Sequence, residues 1–590
     1  MMRAITFDGR WTRRRGTALA TWLVAASSAC ASRSVHREVP CMDGAVQPDD
    51  DGCGNCLCVD GSWACTQTCE PSEVLPVNRD VDVLFVVDNS HSMAQEQAAL
   101  ATSLSGFVDI LDGVDASYRL GVTTTELPHA PCPPVSAAAG RLRRPTSCRG
   151  RLDEFVRLIP PDVEIDEQET GCLSVCDLDE VALEATPLEP GGEVSRRAWL
   201  ERVAGKTNVA GGVSIAEAFA CTAPQGITGC GFESPLEAML KALESTADPE
   251  SPSYGFLRSQ AMLAVVVLTD ELDCSISPVG ENAFMAPVQC PPGETCPTVF
   301  WEDPDLGYPT SAACWNAGVR CSEPGPDYGV CVAEDYDLSA TPGADEASAV
   351  LFPVDRYANA LLDLEAQKRS FHPEARVFLS VVAGVPRGWP DAPIDFREAA
   401  DPEWQRDYGV EAACEGEAGQ RGIPPVRMLA LADALGPERA SVSSICDGDY
   451  GDALDGVARA IVEQFRPACV PRCAADTEPE NPGLQPSCVA LQEVVDPGGE
   501  VARMEVLPPC EGTPDDPEVP AGESACVLLR WDDGGHSPFL GDDLSAACRD
   551  EGSNLELVVV RPPGVPAPDG ARVDLDCTWT DPSDRPCGPA

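Results

Sequence analysis

The residues best placed to do chemistry are Asp88, Ser90 and Ser92, which directly follow the near-continuous apolar run Val81–Val87. That run reads as a buried parallel strand, and Gln95–Leu111 behind it as an amphipathic helix. The three oxygen-bearing side chains therefore stand at a carboxyl end of a strand, where open α/β sheets bind ligands. Two chemistries suit them. Ser90 or Ser92 can cap the helix while Asp88 benefits from its dipole, or the oxygens can hold a hard cation. A second acid, Asp270, ends the run Val267-Leu268-Thr269-Asp270 in the same fashion. Catalysis has no comparable signal. The five histidines (His36, His91, His129, His372, His536) are scattered, and GxSxG, HExxH and phosphate-loop patterns are absent. We expect no enzyme, and we read His91 as an intervening residue rather than a ligand.

Strands and helices alternate around these positions. Arg119–Thr125, Ala261–Thr269, Arg376–Gly384 and the weaker Ala440–Ile445 are further strand-like runs. Asn208–Phe219, Pro235–Ser245, Tyr357–Lys368, Val426–Leu435 and Tyr450–Phe465 carry helical periodicity. Such alternation predicts an α/β domain over 81–467 with a mostly parallel central sheet, because parallel neighbours need crossover helices. Two cysteine-containing insertions interrupt it, at about 126–205 and 274–352. From 468 to 590 the helical signal fades into short β-like runs (Ala525–Trp531, Leu555–Arg561, Ala571–Trp579), read as a disulfide-rich β domain.

The formal charge of −55 excludes nucleic acid as a partner, since phosphate binding needs clustered Lys and Arg. Twenty-nine cysteines would be a hazard in a reducing cytosol and are staples in an oxidising compartment. Apart from Cys30 they fall into blocks of six (Cys41–Cys69), fourteen (Cys132–Cys446) and eight (Cys469–Cys587), so each block can close its own bridges. Connectivity and oligomeric state are not readable.

Strand, D-x-S-x-S and helix together resemble the von Willebrand factor A (VWA) family and its metal-ion-dependent adhesion site. The resemblance spans about 81–467 and implies a Rossmann-like VWA fold. The contexts Ser444-Ile445-Cys446-Asp447 and Asp270-Glu271-Leu272-Asp273-Cys274 resemble VWA lipoproteins of myxobacteria and their relatives. The family's metal ligands carry over to Asp88, Ser90 and Ser92, and to Asp270 through a bound water. At the place of the family's threonine before a helix stands Glu233, beside Ser234, which departs from the pattern. The resemblance implies a divalent cation, Mg²⁺ foremost with Ca²⁺ or Mn²⁺ as alternatives, and a carboxylate supplied by an extracellular or envelope protein or glycan. A second carboxylate at Glu233 favours Ca²⁺, or a metal that recruits no acidic partner. The competing reading is a structural envelope scaffold with a vestigial site.

The N-terminus pairs Arg13–Arg15 with an apolar segment Gly16–Ala26 and then Ser27-Ser28-Ala29-Cys30, an export signal too short to span a membrane. It resembles a bacterial lipoprotein signal (residues 1–30) in which Cys30 carries the lipid. Ser27 stands where that family has an aliphatic residue, and cleavage after Ala31 is the alternative. An exported, outer-membrane-anchored protein facing the periplasm or the cell surface is expected. Residues 41–69, with Cys41, Cys53, Cys56, Cys58, Cys65 and Cys69, resemble pacifastin inhibitors and, more loosely, von Willebrand C modules. The pacifastin pattern implies Cys41–Cys58, Cys53–Cys69 and Cys56–Cys65. The stretch Thr66-Gln67-Thr68 is shorter than that family's reactive segment, so a spacer or binding module is favoured over a protease inhibitor. Residues 31–40 and 70–80 read as linkers.

Overall fold

The apolar runs become the five parallel strands of a seven-stranded sheet in the computed structural model. It describes residues 46–48, 55–59, 62–65, 75 and 77–587, apart from 130–131, 133–138, 160–162, 294, 374, 418, 481–483, 497–499, 514–515, 532–543 and 581–586. The export signal, Cys30, Cys41, Cys53 and Cys69 lie outside the described residues.

The sheet strands are β1 (Asp80–Val87), β2 (Ser117–Thr124), β3 (Leu200–Val203), β4 (Lys206–Thr207), β5 (Met262–Leu268), β6 (Val377–Ala383) and β7 (Ala440–Ser444). Their order is β4-β3-β2-β1-β5-β6-β7. The five long strands pair in parallel, and β3 and β4 add an antiparallel edge. Successive side chains of a strand face opposite ways, and β1 is apolar on both. Val83, Phe85 and Val87 pack under α1 (Ala94–Gly113), α2 (Ile215–Thr222) and α6 (Gly451–Val462). Leu84 and Val86 pack under α3 (Pro235–Ser245), α4 (Val354–Lys368) and α5 (Val426–Leu435). A mixed α/β domain with a mostly parallel sheet is thus the observed architecture. Phe85, fully buried, meets Phe219 with ring centroids 4.7 Å apart. Phe85→Ala is expected to cost about 3–5 kcal/mol in denaturant unfolding, through lost transfer energy and a residual cavity.

Two expectations change. The helix predicted over Asn208–Phe219 begins only at Ile215, because Ser214 and Glu217 form a capping box there. Just upstream, Gly211 and Gly212 adopt φ of +78° and +75°, outside helical geometry. The insertion expected over 126–205 ends inside the sheet, since Leu200–Val203 pairs with β2. The other insertion, 274–352, builds its own apolar core on Phe284, Phe300, Trp301 and Trp315.

Every cysteine from Cys132 to Cys446 is bridged within its block: Cys132–Cys230, Cys148–Cys172, Cys176–Cys221, Cys274–Cys314, Cys290–Cys296, Cys321–Cys331 and Cys414–Cys446. The last block closes as Cys469–Cys548, Cys473–Cys587, Cys488–Cys577 and Cys510–Cys526. Such a density belongs to an oxidising, extracytoplasmic compartment. Among the described residues no helix is long and apolar enough to cross a membrane. In the N-terminal module Cys56 and Cys58 are disulfide-bonded, and Cys56 lies opposite Cys65 in the antiparallel pair Asn55–Val59 and Ser62–Cys65.

The C-terminal region forms two three-stranded antiparallel sheets. It docks beneath the amino ends of the parallel strands, where Ser259 N donates to Asp569 Oδ1 (2.7 Å) and Gly570 N to Gln260 Oε1 (3.2 Å). Leu75, in the stretch read as a linker, is buried in this region's core, and Leu57 packs against Leu491 and Met504. The carboxyl ends of the strands, with Asp88 and Asp270, face the opposite way.

Candidate metal centre at the carboxyl ends of the strands

Parallel pairing sets Val87 beside Leu268, so the residues leaving β1 and β5 emerge side by side. Asp88 is fully buried there. Its Oδ1 accepts from Ser90 N (2.8 Å) and its Oδ2 from Thr269 Oγ1 (2.5 Å); Thr125 Oγ1 approaches Oδ1 at 3.5 Å. The hydroxyls of Ser90 and Ser92 are 3.2 Å apart, and Ser92 is exposed. The capping alternative does not hold: α1 is capped at Met93, and no side chain takes part. Asp270 hydrogen-bonds Ser92 through its side chain, leaving its Oδ1 buried with no partner. Glu233 precedes α3, hydrogen-bonds Glu271 and leaves Oε1 buried without a partner. Ser234 turns its hydroxyl away, onto Cys274 O at 2.8 Å. Asp88, Ser90, Ser92, Asp270 and Glu233 thus occupy one locality.

Three buried side chains there were not singled out from the sequence. Glu271 accepts from Ser311 Oγ at 3.3 Å. Glu96 is 2% exposed with neither carboxylate oxygen partnered. Gln97 holds the loop in shape: its Nε2 donates to Asp88 O (2.7 Å) and Gly226 O (2.9 Å), and its Oε1 accepts from Gln225 N (2.8 Å). The signal for the last two was available. Met93, Leu100 and Leu104 mark the buried stripe of α1, and positions 96 and 97 fall on it at helical spacing. Polar residues on an apolar stripe are the informative exception. Glu271 carries no such signal, being one acid among many in an irregular segment.

Five acids are buried here, Asp88, Glu96, Glu233, Asp270 and Glu271, near enough for their charges to act on one another. Among the described residues none of them forms an ion pair with Lys or Arg within 4.0 Å. The cation that acts on the group is Arg157, held by Nη1 donating to Gly229 O at 3.0 Å; its charge offsets part of the rise at Glu271. Burial drives the carboxyl of Asp270 well above its ordinary range, and the charges of Asp88, Glu271 and Glu96 add to it. Asp88 is raised by burial and held back by its hydrogen bonds from Thr269 and Ser90. Glu233 is raised strongly, first by burial and then by the charge of Glu271. Burial lifts Glu96 to about 7. His91 is pushed down by burial and by Arg157.

Among the described residues no three His, Cys, Asp or Glu side chains converge as a metal-binding group. The donors here mix two hydroxyls with carboxylates, the oxygen-only set that a hard cation takes. Buried carboxylate oxygens with no partner are costly. Unpartnered oxygens on Asp270, Glu233 and Glu96 are therefore what a cation would satisfy, and the residues fit one.

One pH effect follows. Glu96 keeps a proton in the folded state up to about 7, whereas the unfolded chain releases it near 4.5. Stability from this group is thus present at low pH and lost as pH rises across that window. In EDTA, Glu96→Gln should gain on the order of 3 kcal/mol over wild type between pH 4.5 and 7. Parallel pH profiles for the two proteins would contradict this.

No family model matches the chain, and no curated protein matches it. Among solved structures, the pilus adhesin SpaC from Lactobacillus rhamnosus GG superimposes with a TM-score of 0.25 at 9% identity. The match covers 84% of this chain and 39% of SpaC, so the chain spans well under half of that protein's length. A superposition this loose carries no argument about fold or function.

Proposed function

We propose that the chain is an exported cell-envelope adhesion or protein-binding protein of the VWA type, tethered by a lipid on Cys30, that grips a carboxylate-bearing partner through a divalent cation. Asp88, Ser90 and Ser92 would hold the cation, foremost Mg²⁺, with Asp270 acting through water and Glu233 at the edge. The observation that carries this reading is the meeting of two serine hydroxyls with buried, unpartnered carboxylate oxygens at the ends of adjacent parallel strands. When bound, the cation supplies a Lewis-acidic position open to an oxygen of the partner. Gln97 fixes the backbone at Asp88, so the donor loop is set before binding. Thr269 and Ser90 N orient the Asp88 carboxylate. Ser92, the exposed residue of the set, marks the open side.

The test is binding of labelled full-length protein to intact cells of the producing organism, in Mg²⁺ and in EDTA. Binding lost in EDTA and in Asp88→Ala supports adhesion. Binding indifferent to both sinks it. Glu233 favours one second reading, a scaffold whose cation only stabilises the fold; it predicts a cation-dependent melting temperature without cation-dependent binding.

A further inference from the structure

At the opposite end of the sheet from Asp88, a cavity of about 440 Å³ lies between the amino ends of β1 and β2 and the C-terminal β region. Its volume is in the range of small-molecule sites. Four arginines line it, Arg79, Arg466, Arg530 and Arg561, in a chain with 41 basic against 96 acidic residues. Arg561 donates from Nη2 to Gln492 Oε1 (2.6 Å), while its Nη1 is buried without a partner. Nε of Arg530 is likewise buried and unpartnered, and its Nη1 reaches Glu556 only at 4.0 Å. Arg466 is exposed, and among the described residues its side chain has no partner. Arg79 is also exposed, with Nη1 donating to Val114 O at 2.9 Å.

Of the acids on the same wall, Asp80 and Asp115 are paired with other arginines, and Glu556 shares its carboxylate between Arg530 and a backbone amide. Asp80 pairs with Arg258 (3.0 Å) and accepts from Gln260. Asp115 pairs with Arg202 (2.9 Å). Glu556 accepts from Ser545 N (2.9 Å). Guanidinium nitrogens buried without acceptors are costly, and planar forks of this kind match carboxylate or phosphate oxygens. Burial also lowers the affinity of Arg561 for its proton, a cost that a bound anion relieves. The wall also carries apolar residues, among them Val77, Val203, Leu557 and Val559, beside the polar Asn78 and Ser117.

We infer that this cavity binds a small oxyanion, a carboxylate or a phosphate monoester, carried on an apolar body, with Arg561 and Arg530 at its inner end and Arg466 at its mouth. The cavity is remote from the proposed cation site, so either reading can fail without the other.

Calorimetric titration of the oxidised full-length protein with hexanoate, hexyl phosphate and inorganic phosphate, at ionic strength fixed with NaCl, tests it. Either hexanoate or hexyl phosphate should bind with a Kd of about 1 mM or tighter, and the tighter of the two identifies the headgroup. Arg530→Gln and Arg466→Gln should each weaken binding at least about tenfold, as expected for a lost charge-assisted hydrogen bond. Arg466 is exposed, so its variant keeps the test valid should Arg530→Gln fail to fold. Absence of binding by all three probes, or binding unchanged in Arg466→Gln and Arg530→Gln, overturns the inference. Inorganic phosphate binding as tightly as hexyl phosphate overturns the apolar part of it.

Discussion

Asp88→Asn is expected to abolish a cation-dependent gain in stability that the wild-type protein shows in thermal unfolding. A ligand that binds only the folded state adds RT ln(1 + [L]/Kd), about 2.7 kcal/mol at a hundredfold excess over Kd. Mg²⁺, Mn²⁺ and Ca²⁺ compared with EDTA would rank the ions and show how Glu233 affects the choice. The variant has a second, opposite signature. Asp88 is fully buried, and its charge raises the proton affinity of Asp270, Glu96 and Glu271. Removing that charge relieves like-charge repulsion, so in EDTA Asp88→Asn should unfold no earlier than wild type. A variant that is unstable with and without metal would mean that Asp88 serves packing alone.

The second large effect concerns Cys274–Cys314, which closes a span of 40 residues. Cys274 N donates to Glu233 O at 2.7 Å, and Ser311, three residues before Cys314, donates to Gly231 O and approaches Glu271. The bridge therefore ties together the segments that carry Glu233 and Glu271. Loop-closure entropy gives about 4 kcal/mol for a loop of this size. Replacing both cysteines with alanine should remove about 3–4 kcal/mol in urea unfolding and weaken cation binding in the same protein. A loss under about 1 kcal/mol would mean that the insertion's core around Trp301 and Trp315 holds these segments unaided.

Much of the framework was legible because a parallel strand buried on both faces must be apolar throughout. Val81–Val87 and Ala261–Thr269 advertise their own positions, and the D-x-S-x-S residues come with the first. The evenness of the two larger cysteine blocks foretold that each would close internally, whereas the partners depend on contacts such as Cys132 meeting Cys230 across 98 residues. Edge strands β3 and β4 were hidden, because two to four residues of mixed polarity leave no periodicity to detect. Asn208–Val213 mimics a helix in its apolar spacing until its two glycines take positive φ. At the site, Glu96 and Gln97 were readable from the stripe of α1. The convergence of Glu271 on Glu233 required the fold itself, since α3 and β5 lie between the two in sequence.

The most direct test of the cation site is anomalous diffraction from crystals of the oxidised protein soaked in Mn²⁺. A single peak bounded by Asp88, Ser90, Ser92 and Asp270, and missing in Asp88→Asn, is the expected result. A map with no peak there, while Glu96, Glu233 and Asp270 keep the arrangement described above, would contradict a cation-binding role and leave the carboxyl ends of the strands as scaffold.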